Sequence, residues 1–132
     1  MTRKQQSAAP GRRLPVEMPV SVDQYLNSSY EYDMEYIDGE LVERGMPTIA
    51  HSLLRTVLLF QLAQYEEASR FKVLLGVRTQ IVEGRRYRIP DVMLCPRPLP
   101  KGKICDVVPW AVIEILSPDD TLAGTRERFE DY

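Results

Sequence analysis

Two carboxylates in this chain stand where local structure does not call for them. Asp91 follows Pro90 and enters the apolar run Val92, Met93 and Leu94. Glu114 lies inside a strongly apolar stretch, residues 110–116, where strand alternation puts it on one face with Trp110, Val112 and Leu116. A carboxylate on such a face must be ion-paired, protonated or bound to a cation, because leaving it alone costs several kcal/mol. If the two strands are neighbours, both acids converge on one hard cation. Mg²⁺ takes one or two carboxylates and keeps several waters, and the backbone carbonyl of Ile115 would add a third protein donor. A cation held this way polarises a phosphodiester and helps to generate hydroxide. The competing explanation is structural. Pro-Asp opens many strands, and a strand glutamate often pairs with arginine.

The elements that must position these acids can be read along the chain. Residues 1–19 hold Arg3, Lys4, Arg12 and Arg13 before any acid, with three prolines before residue 20 and little to bury, so they read as a disordered basic lead. Ser21 is a plausible N-cap for a short helix through Val22, Tyr25 and Leu26. Two short strands then meet across Asp38-Gly39, the strongest local signal for a tight hairpin. Over 50–68 the apolar positions Ala50, Leu53, Leu54, Val57, Leu58, Leu62 and Tyr65 have helical spacing and predict one buried stripe. Strands follow at 71–75, 77–82, 87–94 and 110–116, with a stiff proline-rich connection before the last. A polar helix starts near Asp119 or Asp120. The order predicts a single α/β domain, a mixed central sheet flanked by helices, over 20–132.

Composition adds bounds. The chain has 132 residues, 44% hydrophobic and 27% charged, enough for one core. A formal net charge of −2 does not advertise nucleic acid, although a local basic patch matters more than the sum. Cys95 and Cys105 lack zinc-like spacing and read as reduced thiols. No stretch approaches the ~20 apolar residues of a membrane span, and the expected compartment is the cytoplasm.

Four segments in order carry a resemblance: MEYIDGEL at 34–41, PTIAH at 47–51, RIPDV at 88–92 and VIEILSP at 112–118. Together they resemble the Uma2 family of restriction-type endonucleases, once filed as a domain of unknown function. The resemblance spans about 20–132 and implies a PD-(D/E)XK, restriction-endonuclease-like fold, Mg²⁺ or Mn²⁺ as cofactor, and DNA as substrate. It implies Asp91 and Glu114 as the metal-binding acids, Glu35 as a further metal or water contact, and His51 as the histidine opening the long helix. Such a histidine can serve as base or ligand, or simply satisfy backbone groups at the helix start.

The chain also departs from the pattern. Two positions after Glu114, where the general motif has lysine, stands Leu116. The lysine that the family places in the following helix aligns with Arg128, and Gly124 falls where an acid is often found. Arginine keeps the charge needed to orient phosphate but cannot readily lose its proton. The family domain normally continues past Tyr132, so this chain is expected to be incomplete at its C-terminal end. On these grounds Asp91, Glu114, Glu35 and Arg128 are the expected catalytic set, with Arg85, Arg86 and Arg88 as backbone-phosphate contacts or a solvated turn. A homo-oligomer is compatible with the sequence. The rival reading is a degenerate nuclease-fold module that binds nucleic acid or a partner protein without cutting.

Overall fold

The computed structural model describes residues 19–132, and the basic lead read from the sequence lies almost wholly outside the described residues. Helix α1, Val22–Leu26, is short, and a reciprocal capping box between Ser21 and Gln24 fixes its start. Strands β1, Met34–Ile37, and β2, Glu40–Glu43, form the expected hairpin. Its two turn residues take positive φ, 49° at Asp38 and 94° at Gly39, which matches the twist of the flanking strands. Helix α2, Ile49–Ala63, begins at a Thr48 cap, and the four-residue α3, Glu66–Ser69, follows it. The remaining elements are β3 (Phe71–Leu74), β4 (Thr79–Val82), β5 (Arg86–Arg88), β6 (Val92–Pro96), β7 (Ala111–Ile113) and α4 (Leu122–Asp131). No described helix is long and apolar enough to cross a membrane.

The α/β class holds, and the strand arrangement differs in detail from one mixed sheet. Among the described residues, the strands form a four-stranded sheet ordered β2-β1-β5-β4 and a three-stranded sheet ordered β3-β6-β7. Every pairing between named strands is antiparallel. The division comes from the stretch expected as one strand over 87–94. Pro90 has no N–H to give a ladder, and around it the chain leaves β5 in the first sheet and enters β6 in the second. The strand expected over 110–116 is likewise shorter. Only 111–113 pair with β6, and Trp110 and Leu116 are more than half exposed, at 57% and 55%.

The stripe expected along α2 is also corrected. Leu58, Leu59 and Leu62 pack against Phe71, Val73 and Val92, whereas Leu53, Leu54, Val57 and Tyr65 are exposed. The sequence places apolar residues around much of this helix, but the described sheet meets it on one side.

One face of the hairpin builds a tyrosine core. Tyr25 is fully buried, stacks on Tyr36 at 5.2 Å, lies near Tyr87, and donates its hydroxyl to the Met34 carbonyl at 2.7 Å. Arg78 covers the Tyr25 ring, its guanidinium carbon 4.4 Å from the centroid. Because β1 alternates, seating Met34 and Tyr36 in this core turns Glu35 to the opposite side. We expect Tyr25→Ala to lose about 3–5 kcal/mol. Tyr25→Phe, which leaves the Met34 carbonyl without that donor, should lose about 1 kcal/mol. Urea unfolding followed by circular dichroism measures both, and equal losses would show that the hydroxyl, not the ring, dominates.

Candidate functional site

The ladder between β6 and β7 pairs Val92 with Ile113, so Asp91 and Glu114 are the next residues outward at the same end of the two strands. Glu35 reaches this end from β1 in the other sheet. It is fully buried, and the Ile89 amide donates to its Oε1 at 2.9 Å while Arg88 Nη1 donates to Oε2 at 2.8 Å. The amide of Ile115 donates to Asp91 Oδ2 at 2.7 Å. That residue was expected to offer its carbonyl to a cation; its N–H, a separate group, fixes the Asp91 carboxylate.

At the centre stands a residue that the sequence did not single out. Arg44 Nη2 donates to Asp91 Oδ1 at 3.0 Å, and Nη1 donates to Glu114 Oε2 and the Ile89 carbonyl, both at 2.9 Å. Nη1 also lies 3.5 Å from Glu35 Oε1. Three carboxylates from separate parts of the chain thus share one guanidinium, whose planar fork suits several oxygens at once. Arg44 sits one residue past β2, and nothing in its local sequence marks it. Tyr132 was missed for the same reason; its hydroxyl donates to Glu114 Oε1 at 2.7 Å.

The other expected residues divide. His51 Nε2 lies 3.1 Å from Asp91 Oδ1, its backbone amide is capped by Thr48, and its Nδ1 finds no hydrogen-bond partner among the described residues. Arg128 Nη2 approaches Glu35 Oε2 at 3.7 Å, and its Nε also lacks a partner among the described residues. Gly124 occupies the first turn of α4, where its amide donates to Thr121 Oγ1 at 3.0 Å. Arg88 is buried, bridging Glu35 and Asp131, so it serves as an internal tie rather than a surface for phosphate. Arg86 is partly buried, paired with Asp38 and Asp131. Arg85 alone of the three is well exposed, on Asp38 at 3.0 Å. A recess of about 30 Å³ opens beside the cluster, lined by Arg44, Thr48, His51, Ile115, Asp120 and Arg128. A larger cleft of about 290 Å³ is bordered by apolar residues including Trp110 and Phe129, and meets the cluster through Glu114 and Tyr132.

Electrostatics separates the acids. Burial pushes Glu114 up to about 7, outweighing the attraction of Arg44, the Tyr132 hydrogen bond and Arg128. Burial also acts to raise Asp91, but Arg44 and the Ile115 amide win there and hold the carboxyl below its ordinary range. Arg44 itself is held firmly charged, because the surrounding acids more than offset its burial. Among the described residues, no three His, Cys, Asp or Glu side chains stand around a common point suited to a metal ion. The Arg44 guanidinium stands between the acids.

The family model described as "Putative restriction endonuclease", Uma2, matches residues 22–132. This chain belongs to the Uma2 family. No curated protein matches this Uma2 chain. A solved structure of "a putative nuclease belonging to DUF820" from Anabaena variabilis ATCC 29413 has the same fold, with a TM-score of 0.70 at 24% identity. The match covers 83% of the Uma2 chain described here and 65% of that protein, so this chain spans just under two thirds of its length.

The perturbed acid has a consequence for stability. A Glu114 raised from 4.5 to about 7 binds its proton more tightly in the folded state than in the unfolded chain. Its stabilising contribution is therefore full below pH 4.5 and is lost as pH rises through about 7. Asp91 acts in the opposite sense, contributing above 3.8 and losing that contribution as pH falls below it. We expect metal-free stability to fall by up to about 3 kcal/mol as pH rises from about 5 to about 8, and Glu114→Gln to flatten that slope. Chemical denaturation at a series of pH values tests this. A slope unchanged in the variant would mean that Glu114 is ionised throughout.

Proposed function

We propose that this chain is a metal-dependent endonuclease that hydrolyses phosphodiester bonds, with DNA as substrate and Mg²⁺ or Mn²⁺ as cofactor. The convergence of Glu35, Asp91 and Glu114 on one cation-filled point carries the reading. Membership of a family described as "Putative restriction endonuclease", and a fold shared with a protein described as "a putative nuclease", support it. The donor set fits a hard divalent ion, because the acidic groups that converge there, Glu35, Asp91 and Glu114, are all carboxylates. Asp91 and Glu114 would hold the ion, with the Ile115 carbonyl as a further donor. When bound, the ion supplies charge stabilisation to the phosphate and lowers the pKa of a water.

The chain's own residues do the rest. The Ile115 amide and His51 orient Asp91, and His51 Nδ1, buried and without a hydrogen-bond partner among the described residues, is left for proton exchange with a bound substrate. Glu35, fixed by the Ile89 amide and Arg88, is a rigid, fully buried carboxylate beside Arg44. Arg128 contributes permanent charge for phosphate and no proton chemistry. Arg85, exposed in the turn between β4 and β5, is suited to the nucleic-acid backbone.

Two observations favour a second reading, a module that binds nucleic acid without cutting it. Arg44 already neutralises the acids, and arginine stands at 128 where the family pattern has lysine. Plasmid cleavage with Mg²⁺ or Mn²⁺ separates the two. We expect weak wild-type cleavage, reduced about a hundredfold or more in Asp91→Ala and raised in Arg128→Lys. DNA binding with no cleavage in wild type or Arg128→Lys would establish the second reading.

A further inference from the structure

Arg44 is bound by the oxygens that a metal would need. Its two terminal nitrogens lie 3.0 Å from Asp91 Oδ1 and 2.9 Å from Glu114 Oε2. A divalent ion and a guanidinium cannot share those oxygens, because each needs the same lone pairs and their like charges repel at such range. We propose that Arg44 is the resident counter-cation of the metal-free cluster, and that metal entry is coupled to withdrawal of its guanidinium from between Asp91 and Glu114. The inference rests on the reading of this cluster as a metal site.

Three features make the exchange physically reasonable. Without a cation, three carboxylates would stand together in a largely buried place, an arrangement that favours protonation or unfolding. Arg44 removes that penalty while no metal is present. Its guanidinium is held entirely by oxygen acceptors, and its side chain is 12% exposed rather than sealed in. The recess beside it is bordered by Asp120, a carboxylate outside the three-acid cluster toward which a displaced guanidinium can turn. The other arginines nearby are not competitors for this role. Arg88 is tied to Glu35 and Asp131, and Arg128 comes within ion-pair distance of Glu35 alone of the three acids, while its charge also acts on Glu114 from farther away.

Competition of this kind makes a prediction about the metal alone, with no substrate and no turnover. Mn²⁺ should bind Arg44→Gln at least about tenfold more tightly than wild type, because the ion no longer has to displace a charge. Adding Asp91→Ala to that variant should abolish the gain. Isothermal titration, or the electron paramagnetic resonance of free Mn²⁺, reads the affinity. In wild type, saturating Mn²⁺ should increase modification of Arg44 by phenylglyoxal, followed by peptide mass spectrometry; this arm holds even if Arg44→Gln does not fold. Equal or weaker Mn²⁺ binding by Arg44→Gln, with wild-type binding still dependent on Asp91, would overturn the competition and leave the metal site standing. Arg44 reactivity unchanged at saturating Mn²⁺ would overturn it too. Absence of Mn²⁺ binding by both proteins at millimolar metal would overturn the metal site and this inference together.

Discussion

Three carboxylates brought together by this fold need a positive charge between them, and Arg44 supplies it. Glu35 arrives from the first hairpin, Asp91 from the start of β6, and Glu114 from just past β7. Each is buried or nearly so, and none could remain ionised there without a partner. The ion pairs therefore do more than decorate the site. They couple the two sheets, because Glu35 belongs to the four-stranded sheet while Asp91 and Glu114 belong to the end of the other. Removing a partner from a buried cluster of this kind is expensive, even where the complete cluster adds little net stability.

The break at Pro90 has the same consequence from the backbone side. A continuous strand through 87–94 would have carried Arg88 and Asp91 along one ladder. Instead the chain changes sheets there, freeing the Ile89 amide and carbonyl for Glu35 and Arg44. The site lies on the seam between the sheets, where backbone polar groups are available to side chains rather than consumed by a ladder. Helix α4 closes this seam. Asp131 anchors it to Arg86 and Arg88, and Tyr132 adds a hydrogen bond to Glu114. Of the charges that the sequence offered as phosphate contacts, Arg86 and Arg88 in β5 are thus engaged in holding the helix in place.

Much of the local structure was legible from the chain alone, for reasons confined to a few neighbouring residues. The Asp38-Gly39 turn needs positive φ, and the Ser21 cap satisfies an amide within three positions. The order of elements carried the α/β class, the placement of Asp91 and Glu114 among apolar residues singled those acids out, and the Uma2-like segments carried the family and added Glu35. What tertiary structure alone decided was partnership. Apolar spacing showed that α2 had a face to bury, but the packing of β3 and β6 selected Leu58, Leu59 and Leu62 over Leu53 and Val57. Apolar composition suggested a long last strand, but pairing with β6 ended after Ile113 and left Glu114 free to turn toward Arg44. Arg44 and Tyr132 lie 70 and 18 residues from the acid they share. A charge met across such separations leaves no periodicity or motif in the sequence, because its role exists only once the chain has folded around it.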